Sequence, residues 1–253
     1  MKKNEFYILN SLYNGSIGRA DCSYALDCVR ALSDTRAYNR LVHAGYIDKE
    51  SGCLTELGIK ALEPYKVNNA VILAAGSSTR FIPLSLEQPK GLFEVRGEKL
   101  IERQIEQLQN AGIKNITIVL GYKKEMFFYL EDKYGVKFII NDSFNIKNNI
   151  ESLYLAKEEL KNTYICVSDS YYIENPFNQY EYITYYSGYR GNLITEEIYA
   201  DVDSDGKIVC MDNKPVDNGY ILMGHSFWKK EFSDSFINCL LYTSPSPRDY
   251  AAS

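Results

Sequence analysis

From about residue 67 onward the chain alternates short apolar runs with helical patterns, and this alternation restricts its fold more than any other feature. The runs Ala70–Ala75, Ile116–Leu120, Phe138–Ile140 and Tyr164–Val167 are short and rich in β-branched residues, as expected for strands buried on both faces. Helical patterns at Lys99–Asn110, Lys123–Tyr134 and Ile150–Leu160 lie between them. Strand–helix alternation implies right-handed crossovers and an α/β fold, a Rossmann-like, mostly parallel sheet flanked by helices. Ligands of such sheets sit at the carboxyl ends of the strands, so chemistry is expected in the loops after Ala75, Leu120 and Val167.

Residues 1–66 read differently. Phe6, Ile8, Leu9 and Leu12 suit one helix; Ser33 is placed to cap a second that runs through Tyr38, Leu41 and Val42 toward Gly45. Tyr46–Ile47 and Cys53–Leu54 can pair across a turn at residues 49–52, and Thr55 can cap a last helix through Leu62. This order resembles a winged helix-turn-helix module, so a small winged-helix domain is expected to precede the sheet. The resemblance implies DNA as a partner of residues 1–66, with Arg36, Arg40 and His43 near helical spacing on the candidate recognition helix. Acidic Asp21, Asp27, Asp34, Asp48 and Glu50 nearly balance the basic residues, which favours a packing or regulatory role. Residues 67–239 are expected to form the larger domain. Residues 240–253, with two prolines and three serines, are set aside as a non-native tail.

A hydrophobic fraction of 45% and a charged fraction of 24% are ordinary for a globular chain and exclude a disordered or membrane class. No apolar run can span a bilayer, and MKKNEFYILNSLYNG has polar residues too early for a signal-peptide core. A cytoplasmic location with no membrane partner is therefore expected. Cys22, Cys28, Cys53, Cys166, Cys210 and Cys239 are scattered without a C-x-x-C pair, and they read as reduced thiols. A net charge of −5 argues against a surface built throughout for nucleic acid.

The chemistry-bearing stretch is LAAGSSTRFIPLSLEQPKGL, Leu73 to Leu92, directly after the first strand. Gly76 with the small Ser77, Ser78 and Thr79 lets backbone N–H groups face an anion closely, as a phosphate-binding nest requires. Arg80 adds a forked cation for phosphate oxygens, and Pro89 stiffens the approach to Lys90, a point charge for the group being transferred. In YICVSDSYY, Tyr164 to Tyr172, an apolar strand ends in Ser168–Asp169. A carboxylate there can hold a Mg²⁺ shared with a triphosphate.

These motifs resemble those of the nucleoside-triphosphate transferase family that includes sugar-nucleotide pyrophosphorylases and phosphocholine cytidylyltransferases. Its opening pattern, L-A-A-G-x-G-[ST]-R-x-x-P-L-[ST] ending in P-K, is matched at Leu73, Ala74, Ala75, Gly76, Thr79, Arg80, Pro83, Leu84, Ser85, Pro89 and Lys90, with Ser78 replacing the second glycine. The resemblance implies CMP transfer from CTP to phosphocholine, with Arg80 and Lys90 catalytic, residues 73–80 on the nucleotide and Asp169 on Mg²⁺. NIKNNIESLYL resembles a segment of the choline-type members and implies Asn148 for the nucleotide and Asn149 and Ser152 for the acceptor. Glu197, Tyr199 and Trp228 stand where the resemblance implies an acceptor pocket, although Ile198 and Tyr199 follow Glu197 where the family has a Trp. Cation–π attraction gives such aromatic residues a reason to hold a quaternary ammonium.

Rival readings are a sugar-1-phosphate or aminoalkylphosphonate nucleotidyltransferase, or a nucleotide-sensing transcription regulator. The family also carries a second acidic metal ligand beyond its G-x-x-[FY]-W segment, past the point where this sequence enters its tail. The chain is accordingly expected to bind CTP weakly and to turn over slowly or not at all.

Overall fold

The computed structural model describes residues 1–16, 35–77, 81–144, 149–190, 198–212, 214 and 219–243. It divides into two compact units, Met1–Val67 with Gln179–Tyr182, and Asn68–Asn178 with the remainder.

The first unit holds helices α1 (Lys3–Ser16), α2 (Thr35–His43) and α3 (Glu56–Leu62). Phe6, Leu9 and Leu12 recur at helical spacing on α1 and close a core with Ala37, Leu41, Ile47, Leu62 and Tyr180. Ile47 and Leu54 form an antiparallel bridge. The turn between them is fixed by the Asp48 carboxylate, which accepts from the amide and hydroxyl of Ser51, and by Gly52 at a φ of 68°. Thr55 Oγ1 accepts from the Gly58 amide at 3.1 Å and donates to the Gly45 carbonyl at 2.6 Å, so one side chain caps α3 and ties it to the end of the preceding helical region. Arg40 donates to Glu5 at 2.9 Å. Ser33, Cys22 and Cys28 lie outside the described residues. Cys53 is disulfide-bonded, which corrects its reading as a reduced thiol; Cys166 and Cys210 are free thiols, the first buried and the second exposed.

The second unit is built on an eight-stranded sheet. In chain order it comprises β1 (Asn69–Ala74), α4 (Leu84–Glu87), a small hairpin of β2 (Glu94–Val95) and β3 (Glu98–Lys99), α5 (Leu100–Asn110), β4 (Ile116–Leu120), α6 (Tyr129–Tyr134), β5 (Lys137–Ile140), α7 (Asn149–Leu155), β6 (Thr163–Val167), β7 (Tyr185–Arg190), β8 (Tyr199–Val202), β9 (Ile208–Asp212), β10 (Tyr220–Trp228) and α8 (Lys230–Thr243). The sheet order is β5-β4-β1-β6-β10-β8-β9, with β7 also paired to β10. β5, β4, β1 and β6 are parallel, while β10 runs antiparallel to β6, β7 and β8.

The sheet is therefore mixed, not mostly parallel. Its parallel half consists of the four apolar runs. Its antiparallel half is not built of buried runs: YYSGYR is broken by Ser187 and Gly188 and mostly exposed, and IVCMD, although apolar from Ile208 to Met211, is exposed along its length. One face of the parallel half packs Val71, Leu73, Val119 and Ile165 against Leu153 and Ala156 of the α7 region. Helix α8 runs through residues 240–243, into the stretch set aside as a tail. No helix among the described residues is long and apolar enough to cross a membrane.

Candidate active site

The parallel register brings the ends of β1, β4 and β6 together. Ser168 N donates to Leu73 O at 3.1 Å and Tyr122 N donates to Ala75 O at 3.1 Å, so three loops leave the sheet side by side. Leu73, Ala74 and Ala75 are buried, and they can serve a nucleotide only by setting the path of the backbone. Gly76 is the first exposed residue after them. A Cβ there would meet nothing within 4 Å, so the chain's own packing does not demand glycine at this position. Ser77 is half-buried beside it, while Ser78, Thr79 and Arg80 lie outside the described residues.

Lys90 and Asp169 meet at this end of the sheet, with Nζ 2.8 Å from Oδ2. Pro89, extended at φ −63° and ψ 150°, delivers Lys90 into a single 3-10 turn, Lys90–Leu92. That turn crosses the end of β6 so closely that a Cβ on Gly91 would sit 3.0 Å from Ser168 Cβ. The Lys90 ammonium also lies 4.2 Å from the centroid of the Phe81 ring. It is held between a carboxylate and an aromatic face.

The stretch leading to Lys90 is braced from the β4 loop. Tyr122 donates its hydroxyl to Ser85 O at 3.1 Å, and Lys123, at a φ of 50°, donates to the carbonyls of Leu86 and Glu87. A non-glycine residue at positive φ is uncommon, and here it aims an ammonium at the carbonyl end of α4.

His225 of β10 lies opposite Cys166 of β6, with Nδ1 3.2 Å from the Tyr172 hydroxyl and Nε2 2.7 Å from Ser187 Oγ. Burial lowers its pKa from 6.5 to about 4, because the charged ring loses hydration inside the core. The unfolded chain therefore takes up a proton on this residue between about pH 6.5 and 4, while the folded chain does not. Stability from the neutral ring is full above that window and is lost as pH falls through it. His225→Gln is expected to reduce by about 2 kcal/mol the loss of unfolding free energy between about pH 7 and pH 5, read from denaturant titrations at each pH.

Several residues expected at the site are placed elsewhere. Ser152 is buried on α7, and its Oγ accepts from the Asn141 amide at 3.0 Å; it supports the turn after β5 instead of facing an acceptor. Trp228 pairs with Thr163, at the amino end of β6, and packs on Phe232 and Phe236 of α8. Because β10 is antiparallel to β6, its last residue points away from the loops that its first residues reach. Tyr199 is on the correct side, paired with Ile221 beyond the end of β6, but it is 1% exposed. Asn148 and Glu197 lie outside the described residues, as does the side chain of Asn149.

A MobA-like NTP transferase domain matches residues 70–175. The choline-phosphate cytidylyltransferase of Streptococcus pneumoniae is 42% identical over 172 residues, covering 67% of this chain and 73% of that protein. The 2-aminoethylphosphonate cytidylyltransferase of Lancefieldella rimae is 36% identical over 169 residues, covering 63% of this chain and 66% of that protein. Among solved structures, the CTP:phosphocholine cytidylyltransferase of Streptococcus pneumoniae superposes with a TM-score of 0.63 at 40% identity, over 69% of this chain and 78% of that one. With Lys90 and Asp169 converging beside the Gly76 turn inside the matched segment, the chain belongs to the family of MobA-like NTP transferases that contains these cytidylyltransferases.

Proposed function

We propose that this chain transfers CMP from CTP to phosphocholine, giving CDP-choline and pyrophosphate. The observation that carries the reading is the Lys90–Asp169 pair at the mouth of the turn after β1, in a chain 42% identical to a choline-phosphate cytidylyltransferase. An oxygen of the acceptor phosphate attacks the α-phosphorus of CTP in line; the new O–P bond forms as the bond to the β-phosphate oxygen breaks, and pyrophosphate leaves. Positioning and charge neutralisation supply most of the acceleration in such transfers. Lys90 neutralises charge on the α-phosphoryl group and the acceptor phosphate. Gly76, Ser77 and Arg80 take the leaving pyrophosphate oxygens.

Among the described residues no group of three acidic, His or Cys side chains could cage a metal. Asp169, just past a strand end and about one-third exposed, is the carboxylate that would hold a Mg²⁺ shared with the triphosphate. When bound there, Mg²⁺ neutralises charge on the phosphate oxygens.

The helix, hairpin and capped helix of the first unit support a winged-helix reading of residues 1–66. Arg40, on the helix proposed for recognition, is already paired with Glu5, and this favours a packing or regulatory use over DNA binding.

The test is pyrophosphate release with CTP, UTP and dTTP, each offered phosphocholine, 2-aminoethylphosphonate and a sugar 1-phosphate. Release is expected to be fastest with CTP and phosphocholine. Preference for 2-aminoethylphosphonate would move the acceptor to the phosphonate class, and preference for a sugar 1-phosphate would overturn the reading.

A further inference from the structure

We propose that Arg103 is a positioning residue for the Asp169 carboxylate, clamping from α5 the loop on which that carboxylate stands. The inference rests on the reading of Asp169 given above. After Val167 the chain leaves the sheet, and the carbonyls that follow have no ladder partners. Helix α5 supplies donors to them. Arg103 Nε donates to Tyr172 O at 2.8 Å and its Nη2 to Ile173 O at 2.7 Å. Its Nη1 donates to Glu98 at 2.6 Å, and its guanidinium lies 4.7 Å from the centroid of the Tyr171 ring.

Gln104 and Gln107 extend the same grip, donating to Val167 O and Tyr172 O at 3.0 Å each. Asp169 thus stands between two anchored points, Val167 before it and Tyr172–Ile173 after it. From the other side, the Tyr172 hydroxyl meets His225. The planar fork of Arg103 satisfies two successive carbonyls and one carboxylate at once. A lysine, as a point charge on a flexible stem, cannot reproduce that geometry. These contacts engage Arg103 with backbone carbonyls, Glu98 and the Tyr171 ring, so Arg103 is proposed to act through the loop.

The test compares Arg103→Met and Arg103→Lys with the parent chain and with Asp169→Asn. The readouts are kcat and KM for CTP by pyrophosphate release, and hydrogen–deuterium exchange of amides 168–174 with no ligand present. Arg103→Met is expected to lower kcat about 30-fold, with KM for CTP within about threefold, because a displaced group loses rate more than substrate affinity. Exchange in the loop is expected to rise about tenfold while β1 and β4 keep the parent's rates, and Arg103→Lys falls between parent and Met. Turnover within about twofold of the parent in both variants, or slow turnover with parent-like loop exchange, would overturn the proposal. If Arg103→Met does not fold, Arg103→Lys decides on the same readouts. Asp169→Asn at full turnover would sink the assignment of Asp169 and this inference with it. An inactive Asp169→Asn beside a fully active Arg103→Met would sink the inference alone.

Discussion

Replacing Lys90 by Met is expected to reduce turnover about 1,000-fold while leaving KM for CTP within about threefold of the parent, as for loss of a charge that acts mainly in the transition state. Met keeps most of the apolar stem of the side chain and removes the ammonium, and with it the charge paired to Asp169 and set over the Phe81 ring. The structural cost is small. Lys90 and Asp169 are 23% and 35% exposed, and a pair this open to solvent contributes at most about 1 kcal/mol to stability. A 1,000-fold drop in rate corresponds to about 4 kcal/mol, so the expected loss greatly exceeds what breaking the pair could do to the fold. Single-turnover release of pyrophosphate at saturating CTP and phosphocholine measures the step directly. A rate within about twofold of the parent would remove Lys90 from the mechanism.

The parallel half of the sheet was legible because its strands are short, apolar and β-branched. The segments Ile116–Leu120 and Tyr164–Val167 were read to within a residue of the strands found. The convergence of Lys90 with Asp169, far apart in sequence, followed from the rule that parallel strands present their carboxyl ends to a ligand. The antiparallel half was not legible. The Tyr-rich β7 is broken by Ser187 and Gly188, β8 is only four residues long, and β9 is apolar yet exposed, so nothing local sets their pairing.

The same gap explains the misplacement of Trp228. Which end of β10 reaches the site depends on its direction against β6, and that is a property of the sheet and not of GHSFW. The placement of Ser152 was illegible for another reason: a serine on a helix face can look outward or inward, and here Asn141 engages it from within. Arg103 carried no sequence signal at all. An arginine on an amphipathic helix reads as a solvated charge, and its carbonyl partners lie 69 and 70 residues away.

These residues suggest a division of labour. In the proposed reading Gly76 and Ser77 offer backbone and Lys90 and Asp169 offer charge, while a second set braces the chain around them: Tyr122 and Lys123 hold the approach to Lys90, and Arg103, Gln104 and Gln107 hold the loop of Asp169. The supporting groups bond mostly to backbone carbonyls. They fix where the chain runs and leave the reacting side chains free to exchange partners when a triphosphate enters.

Gly121→Ala separates these roles by disturbing backbone alone, and it is expected to weaken CTP binding about 100-fold, equivalent to about 2.7 kcal/mol. The Cβ of an alanine here would lie 2.7 Å from Ala75 O and 2.8 Å from Cβ and Cγ of Phe144. Neither neighbour yields easily. Ala75 O already accepts from Tyr122 N, and Ser143, next to Phe144, is held through its amide to Asn141 Oδ1 at 3.0 Å. Overpacking of this kind costs about 1–3 kcal/mol, and the movement that relieves it shifts the peptide entering the Gly76 turn. If that turn binds the triphosphate equally in ground and transition states, the loss appears in KM and not in kcat, the opposite of the pattern expected for Lys90→Met. Calorimetric titration of CTP and steady-state turnover at saturation would show it. CTP affinity within about threefold of the parent would mean that the turn after β1 does not hold the nucleotide.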